Sequence, residues 1–594
     1  MRKGSIRCLV LVILIVQAFV LVGCQAFPER SQRVADDWSR GVHLGHAAIS
    51  GKVGLAIDQL AENIYLVWVA EETQQGEEFL RFVRLDRRGH VSQERDLRIG
   101  VDRPTQVEIV VDESGHLHLT WLDRVAGVRR LFYARLDPSG RLASYPRPIS
   151  LPRVMVESYA VGPGASGGIE LFWGAKEGEQ AGLYHVQLDK WGETESENLD
   201  LCVKGFDTAF RTDRHGISPL VWLDEPDYGE HYLRYATFDG KRRALSPSSQ
   251  IARFAAPTGL VAHRPSLGLA GDDVYIFWSL ERRGGGFSRP SAHSLYVAFP
   301  SGRPDMAGKP RRVHIPPLNQ PKYEMVKSQF QVRDLASAAQ SPAYSDFIYL
   351  PWTNQGHYDE LVTAFAVQLV GRTKGIVQVV LALWSDGELK GYQIVGKTRS
   401  SSLRPMLVAD ASGGLHLAWI DTAGFGSYAV YYAGTDPEAR ANLNRVTGRD
   451  LAAAALNFVW SIVQALSLFP VALIWVFPPL MLLAVYSFIR AEGDLSRLGS
   501  RVMLVVAVLV YTGFKYLFRP GWLAAIRLPH GLASIVVSVV TYSAPLVISA
   551  LAGVAAWTYA KHREFPKLLP AFGVFAGSDA LITLLVYAPG ILGE

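Results

Sequence analysis

The sequence predicts an all-β seven-bladed β-propeller followed by an α-helical transmembrane domain of about four spans. Three observations predict it. A tryptophan closes a short apolar strand seven times between residues 64 and 419, at intervals of 49 to 74 residues. Asp-x-x-Gly turns separate apolar runs that alternate with period 2; this is hairpin chemistry, because Asp bonds its own backbone and Gly supplies positive φ. From residue 451 the composition turns apolar, in stretches long enough to cross a ~30 Å hydrocarbon core.

The N-terminus reads as an address. Met1–Arg7 is basic and Leu9–Val22 is apolar, and the run closes on Leu21-Val-Gly-Cys24. A basic start, a short apolar run and a small residue before the cut make a secretory signal. The last four residues resemble the lipobox of bacterial lipoproteins, which implies a signal peptide over 1–23 and lipidation at Cys24. Residues 24–50 are then a tether, polar over 25–40, with a possible ring-closing strand at its end. Cys8 and Cys24 belong to the targeting segment, so Cys202 stands alone and reads as an inert buried thiol.

The propeller is assigned to 51–445. Its tryptophan strands are Ile64–Trp68, Leu117–Trp121, Ile169–Trp173, Ser218–Trp222, Val274–Trp278, Ile348–Trp352 and Leu415–Trp419. The best repeat runs from a first strand (Gln106–Val111) through the turn Asp112-Glu-Ser-Gly115 to the tryptophan strand. A third strand (Leu131–Leu136), a second turn (Asp137-Pro-Ser-Gly140) and a polar fourth segment follow. Four strands every fifty residues or so is the signature of a propeller. The last repeat has a weak fourth strand, which Val42–Ala48 can supply, closing the ring and removing its open edges. The widest interval, Trp278 to Trp352, carries Gly284-Gly-Gly286 and Pro316-Pro317, an insertion of the kind that maps to loops on a binding face.

This turn-plus-tryptophan grammar resembles that of sialidase-like, BNR-type propellers. The resemblance covers about 51–445 at the level of pattern. The spacing Asp112-x-x-Gly115 to Trp121, and seven repeats instead of six, depart from that family and weaken any transfer of activity. A retaining sialidase-type site would need three arginines for a carboxylate, a Tyr/Glu nucleophile pair and an acid. Arg103, Arg153, Arg211, Arg264 and Arg404 precede or open first strands, but their repetition points to contacts between blades.

Other candidates are few. Asp123, Asp224 and Asp421 lie two residues beyond their tryptophans and could form a ring of carboxylates near the axis, or cap the following loops. His116, His118 and His416 read as strand-surface histidines. No metal or cofactor is implied: Walker, dinucleotide, nucleophile-elbow and zinc signatures are absent. Net charge is only +5, with scattered basic residues, so no nucleic-acid partner is expected.

In the membrane part (446–594) the spans fall near 469–489, 502–518, 533–559 and 568–592, after an interfacial helix over 452–468. With the propeller outside, Arg490, Arg497, Arg501, Lys561, Arg563 and Lys567 lie in cytoplasmic loops, and Lys515, Arg519 and Arg527 do not; this fits the positive-inside rule. The C-terminus is then outside. Asp579 falls inside the last span, where a carboxyl group is costly and therefore a functional candidate; Lys515 or the polar stripe Ser538, Thr541, Tyr542 and Ser549 could partner it. Gly573-Val-Phe-Ala-Gly577 suits close helix contact.

The expectation is a protein of the cytoplasmic membrane whose extracytoplasmic propeller binds a protein or carbohydrate partner without catalysis. A sialidase-like glycoside hydrolase and a receptor subunit of a transport or export complex are the alternatives.

Overall fold

The computed structural model describes residues 30–592 with internal gaps, the longer ones at 283–290, 317–322, 337–344, 370–375, 456–468 and 518–533. Residues 1–29, with Cys8 and Cys24, lie outside the described residues, as do Cys202 and most of the 452–468 segment. The described residues divide into two compact units, one ending at Arg445 and the other beginning at Val446.

The first unit is a ring of seven antiparallel sheets. Their first strands are Gly54–Ile57, Thr105–Val111, Ser158–Pro163, Phe206–Phe210, Leu260–Ala270, Ile348–Thr353 and Ser402–Ala409. Each first strand touches that of the next blade, and the seventh touches the first, so together they line the axis. Val42–Ala47 pairs with the third strand of blade 7, Ser427–Gly434, and closes the ring.

Burial follows from the alternation of side chains in a strand. One face of each blade packs on the next, and seven apolar cores alternate with the seven blades. Trp68, Trp121, Trp173, Trp222, Trp278 and Trp419 are all fully buried on second strands. The turns behave as their residues require: Asp112 Oδ1 accepts from the Ser114 and His116 backbone N–H groups, both at 2.8 Å, and Gly115 has φ 81°.

Three expectations are corrected. Trp352 is not on a second strand. Ile348–Thr353 is the first strand of blade 6, and the second is Leu361–Leu369, where Phe365 is fully buried. Apolar alternation alone cannot distinguish two adjacent strands that are both buried. Residues 30–40 are not a tether: Trp38 is fully buried between blades 6 and 7, its Nε1 donating to Gln393 Oε1 at 2.9 Å. Part of the insertion before Trp352 is not a loop on a binding face, because Tyr323–Met325 and Asp334–Ala336 extend blade 6 at its outer edge.

Among its described residues the second unit contains four helices long and apolar enough to cross a membrane. They are α2 (Phe469–Arg490), α3 (Leu498–Leu517), α4 (Ser534–Lys561) and α5 (Leu568–Leu592), numbered after the short α1 (Pro437–Leu443) that ends the propeller.

Candidate functional site at the propeller axis

The tryptophan motif marks where the first strand is bent. In blades 2, 4, 5 and 7 two first-strand residues stand opposite one tryptophan: Gln106-Val107 opposite Trp121, Asp207-Thr208 opposite Trp222, Arg264-Pro265 opposite Trp278, and Arg404-Pro405 opposite Trp419. In blade 6 Leu350-Pro351 stands opposite Phe365 in the same way. These are β-bulges, which bend a strand and re-aim a side chain. Gln106, Asp207 and Arg404 take φ of 50°, 49° and 52°, a conformation costly for residues with a Cβ and concentrated at functional sites. Three of the five bulges carry proline, which has no N–H to leave unpaired. In blade 1, Lys52 and Val53 precede the first strand at the corresponding height, because Gly54 pairs with Val67.

The bulge is scaffold, but its residue changes from blade to blade: Lys52, Gln106, Asp207, Arg264 and Arg404. These side chains and their neighbours build a charge cluster on the axis. Lys52 Nζ is 2.6 Å from Glu108 Oε1. Arg264 reaches the same oxygen at 3.4 Å from blade 5, three blades away from blade 2, so this contact crosses the axis. Arg264 Nε also donates to the Thr208 carbonyl at 2.8 Å, and Arg211 donates to the Thr353 hydroxyl and carbonyl at 3.2 and 3.3 Å. Lys52 Nζ sits 4.3 Å from the centre of the Trp352 ring, a cation–π contact. The side chains of Lys52, Glu108 and Arg264 keep 14%, 9% and 23% exposure although protein surrounds them, as expected of groups lining a narrow channel.

The electrostatics are those of confined like charges. Burial lowers the Lys52 ammonium to about 8, with Arg264 and Arg404 adding to the shift against the pull of Glu108. Burial lowers Arg211 to about 10. Burial also pushes Asp207 up to about 6 although Arg264 is near. For Glu108 burial alone would raise the carboxyl, but Lys52 and Arg264 hold it below the usual range. Lys52, Arg211 and Arg264 thus surround Glu108 and Asp207, with exposed Arg404 acting on Lys52 and with Glu157 and Lys176 both acting on Asp207, which is half-way to neutral at pH 6. The surplus is positive, and a site of this kind recognises anions.

The residues singled out in the sequence divide between scaffold and site. Arg211 and Arg264 lie at the axis; Arg404 is exposed and acts only electrostatically on Lys52, and Arg103 and Arg153 are exposed and take no part. Asp123, Asp224 and Asp421 lie on second strands and do not converge. Asp123 accepts from the Arg103 and Arg124 backbone N–H groups at 3.0 and 2.7 Å. Asp224 pairs with Arg234 at 2.9 Å. Asp421 accepts from Ser402 Oγ and Trp419 Nε1 at 2.6 and 2.9 Å and is raised by burial to about 6. His118 and His416 are not on the surface. Each is buried between a turn aspartate and a tyrosine: His118 with Asp112 at 3.2 Å and Tyr133 at 2.9 Å, His416 with Asp410 at 3.3 Å and Tyr432 at 2.8 Å. Burial would raise Asp112 and Asp410, but hydrogen bonds from these histidines and the turn backbone lower both to about 2.

Sequence reasoning missed Lys52, Glu108 and Asp207. Their signal was positional: each stands opposite, or within two residues of, a strand tryptophan's partner. No group of three or more His, Cys, Asp and Glu side chains able to hold a metal occurs among the described residues.

In the helical unit, Asp579 is fully buried and accepts from Lys515 Nζ at 2.7 Å, Tyr511 OH at 2.8 Å and Ser549 Oγ at 2.6 Å. Lys515 also donates to Thr583 Oγ1 at 2.8 Å. Three helices, α3, α4 and α5, are therefore joined at one carboxylate.

No family model and no curated relative matches the chain. Solved structures similar to it include a protein of unknown function from Dyadobacter fermentans (8% identity, 69% of this chain and 98% of that one, TM-score 0.37). Others are a mutant of the NanB sialidase from Streptococcus pneumoniae (8%, 68% and 70%, TM-score 0.33) and the β-propeller domain of the Trilobed protease from Pyrococcus furiosus (9%, 65% and 94%, TM-score 0.33). Likeness of this depth carries no activity across.

Proposed function

We propose that this protein is a membrane-anchored propeller that binds an anionic group of a protein or glycan partner at its axis without altering it chemically. The contact between Arg264 and Glu108 carries this reading, because it brings opposed blades into one site with a surplus of cations. A carboxylate, sulfate or phosphate entering there would exchange Glu108 for itself as the partner of Lys52 and Arg264. Screening a panel of neutral, carboxylated, sulfated and phosphorylated glycans and peptides against the detergent-solubilised full chain tests it. Binding of acidic members only, lost in Arg264→Gln, is the expected outcome; equal binding of neutral members would overturn the proposal.

A second reading, glycoside hydrolysis, draws on Asp207, whose raised pKa of about 6 suits a general acid. Against it, Tyr159 is fully buried, its hydroxyl bound to the carbonyls of Gln106 and Thr120, and is not free to act as a nucleophile. Release of a fluorophore from aryl sialosides by wild type and not by Asp207→Asn would favour it.

With this function we place the propeller on the extracytoplasmic side of the cytoplasmic membrane, with lipidated Cys24 as a second anchor. Mass spectrometry of the mature N-terminal peptide from wild type and Cys24→Ser tests the anchor.

A further inference from the structure

Successive strands of a propeller alternate in direction, so the turns joining third to fourth strands of all blades lie on one face. In blades 1 to 4 these turns begin at Asp86, Asp137, Asp189 and Asp239. Their aspartates are used up locally: Oδ1 of Asp86, Asp137, Asp189 and Asp239 accepts backbone N–H groups within its own turn. What the turns present outward is cationic and aromatic. Arg141, Lys190, Lys241 and Arg242 are exposed, although Arg242 also lies 3.7 Å from Asp239. Among them Trp191 is 54% and Tyr145 92% exposed. Trp191 has two cations against its ring, the Arg135 guanidinium 5.1 Å and Lys190 Nζ 5.4 Å from its centre. Exposed acids share the face: Glu193 beside Trp191, Glu113 on the turn whose His116 ring lies 5.3 Å from Trp191, and Glu62 paired with Arg87 at 2.7 Å.

The same face carries both ends of the propeller chain. α1 follows the third strand of blade 7 and packs on the blade 1 turn, where Arg87 bonds Asp436 at 3.1 Å and Asn442 donates to the Arg88 carbonyl at 2.9 Å. The incoming end meets it there, because the Arg30 guanidinium donates to the Leu443 and Arg445 carbonyls at 2.9 and 3.1 Å. From Arg445 the chain has 23 residues before the first apolar helix begins at Phe469.

We propose that this turn face is a docking surface for an anionic lipid bilayer. Tryptophan and tyrosine are amphipathic and settle at the headgroup level, and lysine and arginine beside them are drawn to acidic headgroups. An exposed tryptophan flanked by cations fits that interface better than it fits bulk water. The face is distinct from the axial site, so either proposal can fail alone.

Hydrogen exchange on the full chain in nanodiscs provides the test, with phosphatidylcholine alone compared with a mixture containing one-third phosphatidylglycerol. The amides of 141–146, 189–193 and 239–243 are expected to exchange about five-fold slower in the anionic bilayer. The protection should vanish in a Lys190→Glu, Trp191→Ala, Arg242→Glu variant whose second-strand amides exchange as in wild type. Equal exchange in the two bilayers, or protection that survives the triple substitution, overturns the proposal. So does protection equally strong in detergent, which would point to a protein partner.

Discussion

Replacing Glu108 with glutamine separates a recognition site from a structural ion-pair network. In the native protein this carboxylate neutralises Lys52 at 2.6 Å and Arg264 at 3.4 Å. Removing one partner of a buried pair costs about 3–5 kcal/mol, because the other charge is left uncompensated. The side chains are 9–23% exposed and retain some solvent screening, and glutamine keeps the shape, so the lower end, about 3 kcal/mol, is expected. Anion binding should move the opposite way. The substitution removes the internal competitor, and sulfate should bind about ten-fold tighter, equivalent to ~1.4 kcal/mol. Exchange of the second-strand amides reads the stability, and its dependence on sulfate concentration reads the affinity through mass action. Loss of stability with no gain in sulfate affinity would falsify the binding role and leave the cluster as scaffold.

Other outcomes follow from the same structure. Sulfate affinity should rise as pH falls through about 6, where Asp207 becomes neutral, and decline above about 8, where Lys52 loses its proton; a flat titration curve between pH 5 and 9 would contradict this. Asp112 and Asp410 have folded pKa values of about 2, below the unfolded 3.8. Their stabilisation is present above pH 3.8 and lost as pH falls towards 2, about 2 kcal/mol each. The Asp112→Asn and Asp410→Asn variants should therefore lose stability at pH 7 and show a flatter acid limb in denaturation. Phe365→Ala should cost about 3–5 kcal/mol as a core deletion, whereas Trp352→Ala should cost less stability and more anion affinity; the reverse order would restore Trp352 to the second-strand role. Asp579→Asn should strand Lys515 among apolar helices and weaken the helical unit by about 3 kcal/mol, read as earlier aggregation in detergent, with Lys515→Met partly restoring it.

Much of this architecture was legible in the residues. Period-2 alternation, Asp-x-x-Gly turns and recurring tryptophans are local consequences of backbone geometry, and they survive in a sequence read one window at a time. Apolar length announces a membrane helix in the same way, and the cost of a charge in hydrocarbon made Asp579 conspicuous before its partners were known. The strand at Val42–Ala47 needed one further step, the arithmetic of a ring with one strand short.

The axial site was not legible, and the reason is physical. Arg264 and Glu108 are 156 residues apart, and only closure of the ring makes them neighbours. A bulge leaves no mark in the sequence beyond an extra residue, so the inward aim of Gln106, Asp207 and Arg404 is decided by pairing register with a tryptophan strand. Repetition also misled: Arg264-Pro and Arg404-Pro look alike because their bulges are alike, and the likeness hid that Arg264 reaches across the axis to Glu108. The sequence by itself determined the number of blades, the best-formed turns and the apolar helices, all set by local periodicity, but not the strand order of blade 6. Only the tertiary structure decided which residue of each blade faces the axis, which histidines are buried, and which charges answer Lys52 and Asp579, because each depends on what the rest of the chain places opposite.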